Sequence, residues 1–419
     1  KEIYRHSRKD AETYKRFGPL MGQIGMAVRP ILETVAPNPL GINFSDIVSL
    51  KKLFTHFNGL SDENFEYLCK LMTMSSADFL DEWFEFEPLK ATMAASGIIG
   101  TFMGPRSPGS AYVMLHHYMG DIDGSFRAWG FQRGGTGELS MAIARSAEYF
   151  GADILTSASV DKVLTKDGKA CGVVLENGDE YESDIVISAL DPKLTFLKLV
   201  DENDLPSDFV RDIKNFRIRG SSGKVNLALD GLPNFTALPG DGPHLRGAIS
   251  ISPSYDYLEK GYDDAKYGNF SKEPYMDIIL PSVLDPDMAP LGKHVMSCFV
   301  QYAPYNINGG WDDMKREAFG DAVINTLEKY APNIKDIILH RQVLTPQDLE
   351  TTFGLSEGNI FHGELTLQQL FSLRPAVKWA DYTTPIRNYY QCGSGTHPGG
   401  GVTGSPGEMA AKQILKKWK

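Results

Sequence analysis

The chain has 419 residues, 42% of them hydrophobic and 23% charged, which is enough for two or more packed domains. Its net charge of -11 argues against a nucleic-acid binder, which would carry a basic face. No run of 18 apolar residues exists, so no membrane-spanning helix is expected, and residues 1–10 lack the apolar stretch of a signal peptide.

Residues 1 to about 120 read mainly as helix. Apolar residues recur at helical spacing in Tyr14, Phe17, Leu20, Met21 and Ile24, and again in Phe65, Leu68, Cys69 and Met72. Ser61-Asp62 and Ser75-Ser76 have the chemistry of helix starts. Arg133-Gly134-Gly135-Thr136-Gly137 then leads into a helix over 140–150. Short strands are predicted at 153–156, 160–165, 170–175 and 180–183, with Asp167-Gly168 and Asn177-Gly178 as hairpin turns. The β-branched run Ile185-Val186-Ile187-Ser188 predicts a strand buried on both faces of a parallel sheet, and Asp191-Pro192 starts a helix. Strands at 224–229, 247–251, 276–280 and 295–302 alternate with helices near 254–267 and 311–330, which predicts an antiparallel sheet with helices on one side.

The last thirty residues carry the strongest signal. A short strand runs into glycines at 393, 395, 399, 400, 401, 404 and 407, and the chain leaves as an amphipathic helix. Glycine at this density costs backbone entropy, and it makes sense where main chain must approach a flat or anionic ligand. The helix start adds free N–H groups and partial positive charge. No G-x-G-x-x-G follows an early strand, and no P-loop, H-E-x-x-H or G-x-S-x-G occurs. Cys69, Cys171, Cys298 and Cys392 form no C-x-x-C, so no metal site is indicated. Reduced, mostly buried thiols in an intracellular compartment are expected.

Six segments fall in an order and spacing that is recognisable. They are Gly100–Tyr112, Leu115–Gly120, Arg133–Gly137, Ser188–Pro192, Gly358–Leu365 and Gly393–Gly404. On these the chain resembles the phytoene desaturase-like branch of the flavin-dependent oxidoreductases, over nearly its whole length. The resemblance implies an α/β fold: a glutathione-reductase-like FAD-binding domain with an inserted α+β substrate domain and a helical roof. Members of the branch open with a βαβ unit bearing the glycine fingerprint. That unit is absent from these 419 residues, so the FAD-binding domain is expected to be incomplete here. The implied division is 1–125 for the helical substrate-side region, 126–195 and 381–419 for the FAD-binding domain, and 196–380 for the substrate domain.

FAD is the implied cofactor, and the implied contacts are Gly134 and Gly135, Val160 against the adenine through its main chain, and the run Gly393, Ser394, Gly395, Thr396 and His397. The resemblance places His397 at the ribityl chain. Gly401 is a further implied contact, and Val402 and Thr403 are implied at the N1–C2=O edge of the flavin, where negative charge gathers on reduction. On the substrate side the candidates are His116, His117 and Tyr118, with Arg106, His362 and Arg374 further away; no general base is assigned. The implied reaction moves hydride from a hydrophobic, unsaturated or carotenoid-like substrate to flavin, an oxidation of a CH–CH bond. A redox-neutral flavin isomerase, and a non-enzymatic assembly protein on the same fold, are the alternatives. Peripheral membrane contact and oligomeric state stay open. The compartment would be the cytoplasm in a bacterium and could be the mitochondrion in a eukaryote.

Overall fold

A computed structural model describes residues 1–41, 44–122, 125–126 and 129–418. In its helical part a short helix Glu2–His6 precedes Arg8–Leu32, whose Phe17, Met21 and Ile24 lie one turn apart and are fully buried. They pack with Phe79, Trp83, Phe84 and Leu115 from the helices Ser76–Asp81 and Ser110–Tyr118 and the turn after Asp81. Ser61 and Ser75 cap their helices as expected, accepting from the amides of Asn64 and Asp78. Tyr255, Tyr275 and Tyr302 join the same core, so this helical layer rests on the sheet domain as a roof.

The sheet has five antiparallel strands in the order Ile338–Leu344, Ser222–Leu229, His294–Gln301, Tyr275–Ile279 and Ile249–Ile251. One face presents Val225, Leu227, Met276, Ile278, Met296, Cys298 and Val300 to Phe319, Val323 and Leu327 of the helix Asp313–Glu328. Burying each such side chain is worth about 1.5–3 kcal/mol. On the opposite face Lys224, Phe299 and Asp277 stand in one cross-strand row. The strand Ile338–Leu344 was not expected: His340, Arg341 and Gln342 interrupt its apolar pattern because it lies at the edge of the sheet.

A three-stranded antiparallel meander follows the two predicted turns: Val160–Lys166, Lys169–Leu175 and Glu180–Glu182. Residues 153–156 form no strand; they run irregularly and exposed. Val186–Ser188 pairs in parallel with Tyr389–Gln391, as a strand of its kind should. It is not buried on both faces, since Ile187 is 51% exposed. The thiols of all four cysteines are free, but only Cys298 is buried, with Cys171 and Cys392 half-buried and Cys69 exposed, so the expected burial does not hold. No helix among the described residues is long and apolar enough to cross a membrane.

Candidate functional site

Ligands of open α/β sheets bind beyond the carboxyl ends of parallel strands. Here those ends belong to Val186–Ser188 and Tyr389–Gln391. The loops that follow them are tied together. The Cys392 amide donates to Ser188 O at 2.8 Å, and Gln391 Nε2 donates to Leu190 O at 3.0 Å. Buried Asp191 fixes the first loop by accepting from the amides of Lys193 and Leu194 and from Ser356 Oγ.

The second loop is the glycine run. Thr396 folds it back, donating through its amide and its hydroxyl to Gly393 O. Residues 395–400 are buried, whereas 401–404 form an open turn with Val402 83% exposed. Among the described residues, the amides of Gly393, Ser394, Gly395, Gly400, Gly401 and Val402 make no hydrogen bond. Thr403 is different, since its amide is spent on Gly401 O at 3.0 Å. Of the pair 402–403 that the resemblance sets at that edge, only the Val402 amide is thus free. The helix Ser405–Lys417 starts just behind this turn and points its N-terminus at it.

The glycines also answer to the protein itself. A Cβ at Gly393 would lie 2.7 Å from Ala189 O, and one at Gly400 would lie 2.2 Å from the Phe361 ring. Gly401 meets nothing closer than 3.7 Å. Close packing of loop on wall thus explains Gly393 and Gly400, and approach to a ligand is needed only for the open turn.

His116 and His117 end the helix Ser110–Tyr118 beside this loop. His116 Nε2 donates to Gly400 O at 2.8 Å, so its Nδ1 is a bare acceptor, buried and without a partner among the described residues. Burial, then the neighbouring His117, hold its pKa down at about 4. His117 Nδ1 donates to Val113 O at 2.9 Å, and burial lowers its pKa also. Its ring lies parallel to Trp129, with centroids 6.4 Å apart, and 6.3 Å from Phe361. Both imidazoles are neutral near pH 7 and form an uncharged, aromatic wall. Tyr118 instead turns into the roof core, 3% exposed.

His397 is 3% exposed; its Nε2 donates to Ile31 O at 2.7 Å, and its ring meets Phe371 edge-on. The ring anchors the loop to the roof, and only its unpartnered Nδ1 is left for a ligand. Gly134 and Gly135 lie elsewhere. The Gly134 amide donates to Asp285 at 2.7 Å, and Gly135 caps the helix Thr136–Tyr149 next to Met288. Val160 opens its strand opposite Leu175. No hydrogen bond among the described residues joins these three to the glycine run. Sequence reasoning missed Phe361 and Trp129 as wall residues, because their neighbours are distant in the chain.

Tyr382 holds the buried side of the loop through its hydroxyl, which donates to His397 O at 2.9 Å. Tyr382→Phe leaves that buried carbonyl unpaired and is expected to cost about 1–2 kcal/mol in chemical denaturation, with the loop's ligand affinity falling in parallel.

A row of unpartnered amides at strand carboxyl ends, closed by a helix N-terminus, fits a flat cofactor that carries phosphates and gathers negative charge on its carbonyl edge. Comparison with known proteins agrees. Residues 60–415 match the model of the flavin containing amine oxidoreductases. The chain is 40% identical over 435 residues to pyridine nucleotide-disulfide oxidoreductase domain-containing protein 2 of Rattus norvegicus, covering 100% of this chain and 75% of that one. It is 24% identical over 415 residues to a lycopene-forming phytoene desaturase of Paracoccus sp., covering 98% and 75%. The fold superposes on a putrescine oxidase redesigned for cofactor binding with TM-score 0.54 and 14% identity, covering 99% and 76%. FAD is the cofactor that this fold and site call for. On the extent of that match and the identity to the rat protein, the chain belongs to the family of flavin-containing amine oxidoreductases.

Proposed function

We propose that this oxidoreductase takes hydride from a CH–CH unit of a hydrophobic, polyene-like substrate. The flavin, when bound, supplies the two-electron acceptor. The chain's own residues hold the reactants. The free amides of 393–395 and 400–402 position the cofactor and favour negative charge on it. His116, His117, Trp129 and Phe361 offer the substrate an aromatic surface whose own side chains are uncharged. The neutrality of the two histidines carries this reading. A site for a cationic amine would profit from a carboxylate here. A site for an apolar chain needs the absence of charge, since desolvating a charge beside it is costly.

The test is anaerobic mixing of the full-length, FAD-loaded protein with polyenes and with primary amines, following bleaching of the oxidised flavin band. Bleaching by polyenes alone supports the reading, and bleaching by amines alone defeats it. Product formed from pre-reduced protein without an electron acceptor identifies the redox-neutral isomerase instead.

A further inference from the structure

Among the described residues Arg374 is the largest fully buried side chain, with 0% exposure. Among the described residues no carboxylate pairs with it. Glu364, whose main-chain carbonyl Arg374 does hold, gives both its carboxylate oxygens to Arg219 at 2.7 and 3.0 Å. The Arg374 guanidinium instead donates to five main-chain carbonyls. Nε and Nη2 reach Ser394 O at 3.1 and 2.7 Å, and Nη1 reaches Glu364 O and Gln369 O at 3.1 and 3.3 Å. Nη2 also reaches Phe361 O and Gly363 O at 3.1 and 3.2 Å. The ring of Phe216 lies 5.4 Å from its Cζ.

Two properties stand out. The side chain joins Ser394, in the middle of the glycine run, to the segment 361–369 that carries the Phe361 wall. It also keeps a positive charge in a dry interior without a counter-ion, where charge acts over longer distances than in water. Burial is the main cause that holds the imidazoles of His116, His362 and His397 toward neutral, and that charge adds to it in each. A residue needed only as a clamp could be uncharged.

We propose that Arg374 is a positioning residue for the flavin: it fixes Ser394 so that the loop's free amides face the cofactor, and its unpaired charge favours the reduced, anionic form. This rests on the reading of the glycine run as the flavin cradle. It makes Arg374 a determinant of the reduction potential rather than a contact to substrate.

The experiment measures the midpoint potential and the FAD dissociation constant of the full-length protein, with R374Q, R374K and E364Q as variants. R374Q is expected to lower the equilibrium constant for two-electron reduction at least tenfold, about 30 mV by the constant for a two-electron couple. R374K keeps the charge and loses the fork, so its potential stays near wild type while FAD binds about tenfold more weakly. E364Q neutralises the carboxylate that pairs with Arg219, on the residue whose carbonyl Arg374 holds, and raises the potential, which gives a sign control should R374Q not fold. Potentials of R374Q and E364Q equal to wild type overturn the proposal and leave the cradle standing. E364Q alone equal to wild type, where R374Q yields no folded protein, overturns it too. A wild-type protein that takes up no FAD removes the cradle and the proposal together.

Discussion

Gly400→Ala is expected to destabilise the protein by about 3 kcal/mol and to weaken FAD binding at least tenfold. The new Cβ would sit 2.2 Å from Phe361 Cγ and Cδ1 and 2.6 Å from its Cβ. These atoms belong to the root of the side chain, so a change of rotamer does not clear them. The ring has no room on its other side either. A Cβ at Gly100, which has φ of +76°, would lie 1.8 Å from Phe361 Cδ2. Phe361 is thus held between two glycines from opposite ends of the chain. To admit a methyl group the loop must lift, and lifting it moves the amides of Gly400, Gly401 and Val402 and breaks the His116 contact to Gly400 O. Phe361→Ala in the same molecule removes Cγ and Cδ1 but keeps the Cβ at 2.6 Å, so it should return only part of the affinity that Gly400→Ala loses. Gly407→Ala is the control: nothing lies within 4 Å of its Cβ, and a helical alanine is favoured by up to about 1 kcal/mol. Denaturation and flavin-fluorescence titration of the four proteins decide the matter; a Gly400→Ala protein as stable and as tight as wild type refutes the packing argument.

The same residues show what sequence could and could not reveal. The hairpin turns at Asp167-Gly168 and Asn177-Gly178 were legible because turn chemistry is local, and both are turns in the structure. The glycine run was legible as a place of close main-chain approach, and so was the helix behind it. What the glycines approach was not legible. Phe361 and Ala189 reach Gly400 and Gly393 only through the tertiary fold, and no periodicity announces them. Arg374 stands in the sequence only as a more distant substrate-side candidate, with nothing to show what holds it. Its role depends on five carbonyls gathered from 361–394. The strand Ile338–Leu344 escaped notice for the opposite reason: an edge strand tolerates polar residues, so its pattern was weak although its pairing with Ser222–Leu229 is extensive. The ring of His397 was expected at the ligand, yet main-chain geometry at 397 turns it onto Ile31 O.

Acidification from neutral pH to about pH 5 is expected to remove about 3 kcal/mol of stability through His397 and His116 together. Burial holds both imidazoles at about 4 in the folded protein, against 6.5 for the free side chain. The unfolded chain therefore takes up protons first. Stability is complete above the unfolded value, falls as pH drops through 6.5, and stops falling only when the folded protein also protonates near 4. His397, nearly excluded from solvent, contributes about 2 kcal/mol at about pH 5; His116, partly solvated, contributes about 1. His117 and His362, both lowered by burial, act in the same direction. Asp277 opposes them. Burial raises its carboxyl from 3.8 to about 6, so the folded state gains a proton early and recovers about 1 kcal/mol over the same range. The histidines still prevail. His116→Gln and His397→Gln keep a donor for Gly400 O and Ile31 O but cannot titrate, so the double variant should lose much less stability between pH 7 and pH 5 than wild type. Equal acid sensitivity in urea titrations of the two proteins would show that the imidazoles beside the glycine loop are not held neutral by the fold, and the uncharged wall on which the substrate class rests would go with them.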